Sequence, residues 1–330
     1  MRQRPALLLA LAGLLALLAL VLALTVGSEP LGIGRVLAGL AGGEGTDALI
    51  VRELRLPRAL AALGCGAALA VAGALLQALL RNPLADPYVL GMSGGAAAGA
   101  LLAVLLLGAG GAPAGALLGA LTTTALVFML GRASFRLAPA SQPAGMTLVL
   151  VGVILAAACG ALVSLLMVFL PDQPLRAMIV WLMGDFGSVD SAVWVLVALS
   201  LLLPAVLLIA PDLNLLATGE IRAQSLGVRV ARRRVQVILL AAALTAAAVQ
   251  TAGPIGFVGL VVPHLVRLAV GNDQRLLLPL SALVGAGFLV LADTVSRTLF
   301  APTQLPVGAV TAAIGVPVFL WLLLRRGVAR

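Results

Sequence analysis

The chain contains no lysine, one histidine and two cysteines, and only 10% of its 330 residues are charged. Without lysine it has no Walker A phosphate loop, in which a lysine follows the glycines, and no lysine Schiff base. The cysteines, Cys65 and Cys159, lie in apolar runs as small buried hydrophobes do, and one histidine with scattered cysteines does not make a metal site. These absences exclude a P-loop ATPase and give no support to a metalloenzyme.

Apolar residues dominate the chain instead. Hydrophobic residues make up 62% of it, and 37 glycines come on top of them, whereas a soluble domain is about 45–50% apolar with glycine included. No soluble core needs so much apolar residue, and disordered or collagenous chains lack long Leu/Ala/Val runs. The composition therefore predicts a polytopic membrane protein.

Uncharged stretches of about 20 residues, the length of a membrane-spanning helix, predict ten transmembrane helices and an all-α fold. The first exceeds the apolar core of a signal peptide, so we interpret it as a retained span, with a cleavable signal as the alternative. The stretches are bounded by Arg4–Glu29, Arg58–Arg81, Asp86–Arg132 (two spans, divided at Gly108–Pro113), Arg136–Asp172, Asp190–Asp212, Arg234–Arg267 (two shorter helices, divided at Gly253-Pro254), Gln274–Asp293 and Val307–Leu324.

The basic residues, all of them arginine, orient these spans. An even number of spans puts both termini on one side, and the arginines near both ends mark that side as cytoplasmic. Fifteen of the 21 arginines then lie inside, and the six outside are Arg35, Arg52, Arg55, Arg58, Arg176 and Arg297. Three of them crowd into VRELRLPR before the second span, which indicates either an acidic partner outside or anchoring in lipid headgroups.

Two cytoplasmic segments stand out. Residues 81–91, RNPLADPYVLG, contain two prolines with Asn and Asp and predict a rigid turn. Residues 211–234 form the longest hydrophilic stretch, in which Asp212 or Asn214 is expected to cap one short helix and Glu220 to lie in the first turn of a second. A basic, partly apolar segment of this kind is typical of a surface that lies on the membrane or docks a soluble partner.

Six long blocks carry a recognisable pattern: LRLPR (54–58), GALLQALLRNPLADPYVLGMSGG (73–95), WLMGDFGSVD (181–190), GEIRAQSLG (219–227), GPIGFVGLVVPHLVRL (253–268) and LPVGAVTAAIGVPVFLWLLL (305–324). In order and spacing they resemble the iron-chelate and cobalamin ABC importer permeases, the FecCD family, over nearly the whole chain. The resemblance implies one permease domain, residues 1–330, with a type II ABC importer fold of ten helices in the bacterial inner membrane.

The resemblance also implies the partners and the sites. Such a permease works as a homodimer or a paired permease, with two cytoplasmic ATPase subunits that bind ATP and Mg²⁺, and a periplasmic binding protein. No cofactor, metal or nucleic acid is expected on this chain. The residues expected to contact the ATPase are Ala217, Gly219, Glu220, Ser225, Leu226 and Gly227; those expected to dock the binding protein are Arg55, Arg58 and Arg297. Ser93 and Gly94 are expected to line a lumen. Gly145, Met146 and Thr147 match the family's inner gate loosely and are expected to lie at that gate.

The function that follows is ATP-driven import of a bulky metal chelate (iron–siderophore, haem or cobalamin) by alternating access, with hydrolysis on another chain. The alternative is an ion- or proton-coupled secondary transporter. That class needs ionisable residues near the bilayer midplane and broken helices that coordinate the ion; the break at Gly253-Pro254 is present, but no partnered carboxylate lies in mid-span. An intramembrane enzyme would need a cluster of His, Asp and Glu, which the spans lack.

Overall fold

A computed structural model of the chain describes residues 5–27, 29–88, 90–137, 144–170, 172–187 and 192–327, and these residues form helices joined by turns, with no strand among them. A π-helical segment, Ile50–Arg55, and a 3₁₀ turn, Ala109–Gly111, accompany the α-helices. The α-helices are α1 (Pro5–Thr25), α2 (Ile33–Leu40), α3 (Thr46–Leu49), α4 (Leu56–Leu80), α5 (Met92–Leu107), α6 (Ala112–Leu137), α7 (Ala144–Val168), α8 (Asp172–Leu182), α9 (Val193–Ala217), α10 (Glu220–Ser225), α11 (Val230–Ala252), α12 (Val258–Val270), α13 (Gln274–Thr298) and α14 (Val307–Gly327).

The all-helical membrane architecture is confirmed. Within the described residues, seven helical stretches are long and apolar enough to cross a membrane, namely Pro5–Thr25, Thr46–Leu80, Ala112–Leu130, Leu150–Val168, Val193–Ala217, Val230–Ala252 and Gln274–Thr298. Three shorter apolar helices, Met92–Leu107, Val258–Val270 and Val307–Leu322, occupy the other predicted segments. The breaks at Gly108 and at Gly253-Pro254 fall between helices, as predicted. Ten full spans stays a prediction.

Helix α4 forms the centre of the bundle and packs against α9, α11, α12 and α13. Glycine lets these backbones touch: a methyl group added at Gly66 of α4 would lie 2.2 Å from the Gly285 carbonyl oxygen of α13. The same device joins α5 to α6, where a methyl group on Gly99 would lie 2.2 Å from the Gly115 carbonyl oxygen. Close packing of small residues therefore holds the bundle together, because the hydrophobic effect does not drive helices together within lipid.

Two helices are longer than the sequence indicates. Helix α9 continues through Pro211 to Ala217, so the predicted separate helix capped by Asp212 or Asn214 is wrong. Leu213 and Leu216 are buried there and extend the stripe begun by Ile209 at helical spacing, which outweighs the hydrogen bond lost at the proline. The outer arginine run is also helical: the π-helical segment continues directly into α4.

The length of helix α13 gives the distance between the two ends of the bundle. It has 25 residues, which span about 37 Å at 1.5 Å per residue. Asp273 caps its first turn by accepting a hydrogen bond from the backbone N–H of Arg275, and Asp293 and Arg297 lie near its other end. Groups bound to Asp273 and groups bound to Asp293 are therefore about a hydrocarbon thickness apart.

Candidate functional site

Two regions at opposite ends of α13 contain the predicted partner sites. We call them the outer and inner regions after the predicted topology. The outer region is built on Asp293, whose buried carboxylate accepts hydrogen bonds from Arg58. Arg58 Nη2 lies 2.8 Å and Nε 3.0 Å from Oδ1, and Nε lies 3.1 Å from Oδ2. Arg58 Nη1 donates to Gln304 Oε1 at 2.8 Å. This paired geometry is the strong form of an arginine–carboxylate contact.

The other two predicted docking arginines hold the end of α1. Arg297 Nη2 donates to the Ala23 carbonyl oxygen at 2.9 Å, and its Nε lies 3.4 Å from Asp293 Oδ2. Arg55 donates to the carbonyl oxygens of Leu24, at 2.8 Å, and Thr25, at 3.2 Å. The last carbonyls of a helix have no partner within it and carry partial negative charge, so guanidinium groups suit them.

The three arginines line one cleft of about 360 Å³, together with Glu29, Glu53, Phe186 and Gln304. The fold thus brings Arg297 beside Arg55 and Arg58, as a common docking site requires. It also buries them: Arg55 is 6%, Arg58 8% and Arg297 9% exposed. A partner would reach them only at the floor of the cleft, and the docking role stays a prediction.

Sequence reasoning identified part of this cluster. Asp293 and Arg297 are four residues apart, a spacing that favours an ion pair on one helix face, and this pair is present. The closer contact of Asp293 is with Arg58, 235 residues away in the chain, and Gln304 had no signal in the sequence. A carboxylate within a span was the available clue, because such a residue almost always pairs with another group.

The inner region is the segment from Ala217 to Gly227, which is mostly exposed. Helix α10 has Glu220 in its first turn, as predicted. Ile221 of α10 is 86% exposed and Leu226, which directly follows α10, is 57% exposed. These exposed apolar side chains suit a contact surface, and the six predicted ATPase contacts all lie within the 217–227 segment.

Ion pairs fix this segment to the bundle. Arg233 pairs with Asp212, and Arg234 with Glu220, which connects α11 to the end of α9 and to α10. Asn214 donates from Nδ2 to Asp273 Oδ1 at 2.7 Å, and its Oδ1 accepts from the Gln274 N–H at 2.8 Å. Asp212 and Asn214 therefore act as anchors to α11 and α13 rather than as helix caps.

The predicted turn between α4 and α5 is present, and Asp86 is buried within it, whereas Tyr88 is exposed. Asn82 accepts from the Leu84 N–H at 2.9 Å and Asp86 from the Tyr88 N–H at 2.7 Å, two Asx turns in succession. Burial raises the pKa of the Asp86 carboxyl to about 6, although the hydrogen bond from Tyr88 works in the opposite direction. Asp86 and Tyr88 line a cleft of about 370 Å³ with Phe257 and Gly308.

The residues predicted to line the lumen and the gate lie at the starts of two helices, and these roles stay predictions. Ser93 is buried in the first turn of α5, and a methyl group on the neighbouring Gly94 would lie 3.1 Å from Cys159 Cβ of α7. Gly145, Met146 and Thr147 begin α7, but their side chains lie outside the described residues, as do Arg2, Arg4 and Arg330. Where the structure is described, no three His, Cys, Asp or Glu side chains group to hold a metal ion.

Comparison with known proteins gives a consistent result. The model of the FecCD transport family matches residues 14–325. The chain is 44% identical to the hemin transport system permease protein HmuU of Yersinia pestis, with 83% of each chain covered. It is 41% identical to the vitamin B12 import system permease protein BtuC of Escherichia coli, over 84% of this chain and 85% of that one.

Solved structures agree. A protein described as a metal-chelate type ABC transporter in an inward-facing conformation superposes with a TM-score of 0.84 at 34% identity, over 96% of this chain and 98% of that one. PsaBC from Streptococcus pneumoniae, solved in complex with a Fab, superposes with a TM-score of 0.61 at 16% identity, over 83% and 92% of the two chains. The second likeness supports the fold alone.

Proposed function

Because the chain belongs to the FecCD transport family of ABC transporter permeases, we propose that it is the permease subunit of an importer for a bulky metal chelate. The cargo class is an iron–siderophore complex, haem or cobalamin, carried across the bacterial inner membrane by alternating access. The observation that supports this most is the 41–44% identity to hemin and vitamin B12 permeases over more than four fifths of the chain.

The two ends of the bundle support the division of labour. At the inner end, the exposed side chains of Ile221 and Leu226 offer an ATPase subunit a contact. Glu220 of the same segment pairs with Arg234 of α11, and Asn214 joins the end of α9 to α13. At the outer end, three arginines share one cleft with Gln304, which suits the carboxylates of a periplasmic binding protein. ATP and Mg²⁺ would then bind only to the ATPase subunits, and both termini would lie in the cytoplasm.

The near absence of charge within the spans supports the same function over its alternative. An ion-coupled transporter needs ionisable side chains at mid-membrane depth that bind the ion. The carboxylate within α13 is Asp293, which lies near the outer end of the helix, and two arginines already pair with it. A cargo passed along weak contacts by a homodimer suits a bundle of small and apolar side chains.

Reconstitution tests this function. The permease, its ATPase and its binding protein are placed in proteoliposomes, and uptake of labelled hemin, cobalamin and a ferric siderophore is followed. We expect uptake of one probe to require ATP and the binding protein and to survive collapse of the proton gradient. Uptake that stops with an uncoupler and continues without ATP would overturn the proposal in favour of secondary transport.

The cargo itself is chosen outside the membrane. Thermal-shift titration of the binding protein with the same three probes is expected to give a rise in its melting temperature with one class of ligand, since binding to the native state stabilises it. That class then becomes the probe for uptake.

A further inference from the structure

The turn between α4 and α5 is joined to the segment that follows α9 by one long side chain. Arg81 Nη2 donates a hydrogen bond to the Leu216 carbonyl oxygen at 2.9 Å, across 135 residues of sequence. Leu216 is the second-last residue of α9 and directly precedes the predicted ATPase contacts. This carbonyl lies in the last turn of α9 and also accepts a hydrogen bond from the Gly219 N–H at 3.2 Å. Arg81 adds a cation there, at the negative end of the helix dipole.

Arg81 holds an unusual backbone conformation at this place. It ends α4 with φ 50°, in the left-handed region, and Phe257 is the other non-glycine residue with positive φ among those described. Side chains other than glycine adopt this region at a cost, and such residues cluster where structures switch or bind. Phe257 lines the cleft that Asp86 and Tyr88 of the same turn also line. Phe257 therefore lies in the lining of this cleft, and Arg81 is connected to the cleft through the turn.

The turn that contains Arg81 and the end of α9 that Arg81 contacts are each held by further hydrogen bonds or ion pairs. The turn is braced by two Asx hydrogen bonds and by the backbone bond from the Leu90 N–H to the Asp86 carbonyl oxygen. The end of α9 is anchored to α11 through Arg233 and to α13 through Asn214. Two internally braced bodies joined by a side chain move together for as long as that contact holds.

We propose that Arg81 is a positioning residue that transmits displacement of the 217–227 segment to the 81–91 turn and so to the cleft beside Phe257. The inference rests on the proposed function, because it takes the 217–227 segment as the ATPase contact. When ATP binding moves that segment, the hydrogen bond to Leu216 carries the turn with it. Without the guanidinium, the segment moves and the turn does not follow.

The decisive variant is Arg81→Gly, because glycine adopts φ 50° without strain and removes the side chain alone. Arg81→Ala removes the same hydrogen bond and keeps the strain. In the full complex with its ATPase and binding protein, we expect both variants to hydrolyse ATP within about twofold of the unsubstituted complex. Cargo moved per ATP falls about tenfold or more, as expected when a charge-assisted hydrogen bond is lost. Arg81→Lys keeps a charged donor and restores part of the ratio.

Arg275→Ala is the matched control, since Arg275 is an exposed arginine in the first turn of α13. It should leave the ratio unchanged. If Arg81→Gly keeps the normal ratio, or lowers hydrolysis and transport in proportion, the proposal is overturned while the importer function stands. If the unsubstituted complex moves no probe, the proposed function fails, and a second measurement decides the role of Arg81.

That measurement needs no cargo. Labels at the exposed positions Leu84 and Ile221 report the distance between turn and segment in the full complex, with and without ATP. With Arg81 present we expect the distance to stay the same in both states, and with Arg81→Gly we expect it to change when ATP binds. The same behaviour in both proteins would contradict the proposal.

Discussion

The outer and inner ends of this bundle use charge in opposite ways. At the outer end Arg55, Arg58 and Arg297 are buried and donate hydrogen bonds to Asp293, Gln304 and the last carbonyls of α1. At the inner end the paired charged side chains are 26–42% exposed and lie at the base of the 217–227 segment, while Ile221 and Leu226 are exposed.

The difference indicates how each end would receive a partner. A surface whose arginines are fixed by neighbours is preorganised and changes little on binding. Helix α10 is largely exposed and is paired to α11 through Glu220 and Arg234, so a displacement of α10 would act on α11 as well. The outer end therefore suits a docking platform, and the inner end suits a moving part. Three substitutions test this contrast, in order of decreasing expected effect.

The largest effect is expected from Asp293→Ala. This change leaves Arg58 and Arg297 buried without their carboxylate, and breaking such a buried pair costs about 3–5 kcal/mol. Thermal or denaturant unfolding of the purified permease measures it. The control is Asp47→Ala, because the Arg35–Asp47 pair is exposed, with side chains 69% and 43% accessible, and such pairs contribute about 0–1 kcal/mol. Equal losses for the two variants would show that the outer arginines are not held by Asp293.

The second substitution is Leu226→Asp, which should separate binding from stability. Leu226 is exposed, so the free energy of unfolding should change by less than about 0.5 kcal/mol. Affinity for the ATPase subunit should fall about tenfold or more, as expected for an apolar interface residue. Leu37→Asp on α2 is a control of similar exposure, 60% against 57%. ATPase binding that is unaffected by Leu226→Asp would remove this residue from the proposed contact.

The smallest effect is expected for the buried carboxyl group of Asp86, in the turn between α4 and α5. The pKa of Asp86 is raised to about 6 in the folded protein, from about 3.9 in an unfolded chain. Between these pH values the folded state binds more protons than the unfolded state, so stability falls as pH rises through this window. The slope is up to about 1 kcal/mol per pH unit.

Asp86→Asn removes this contribution and keeps an acceptor for the Tyr88 N–H. The difference in melting temperature between substituted and unsubstituted protein should grow in favour of the variant from about pH 4 to pH 6, and stay constant above that. A difference that does not vary with pH would mean that the Asp86 carboxyl titrates normally.

Much of the fold followed from local signals. Uncharged runs located the apolar helices, Gly253-Pro254 located the break between α11 and α12, and the prolines of residues 81–91 indicated a tight turn. The prediction that a helix ends near Pro211 was wrong, because burial of Leu213 and Leu216 keeps α9 helical through this proline. A local rule cannot weigh such a cost against contacts made with distant helices.

Of the two predicted partner sites, one was recognisable from the sequence and the other only in part. The inner segment was recognisable because it is contiguous, polar and placed between spans. The arginine cluster was only half visible, because Arg58 and Asp293 are 235 residues apart in the chain and meet only when α13 packs against α4. The same holds for the contact of Arg81 with Leu216, which neither residue type nor spacing indicates.

By itself the sequence determined that this protein is helical, lies in a membrane and has no Walker A lysine, because composition and run length do not depend on contacts between distant residues. Only the tertiary structure decided that the outer arginines are buried around one carboxylate and that Arg81 joins the turn to α9. Those outcomes depend on close contact between glycine-rich helix faces, which brings charged residues together from distant parts of the chain. Within the membrane each buried charge needs a partner, because an unpaired charge there is costly.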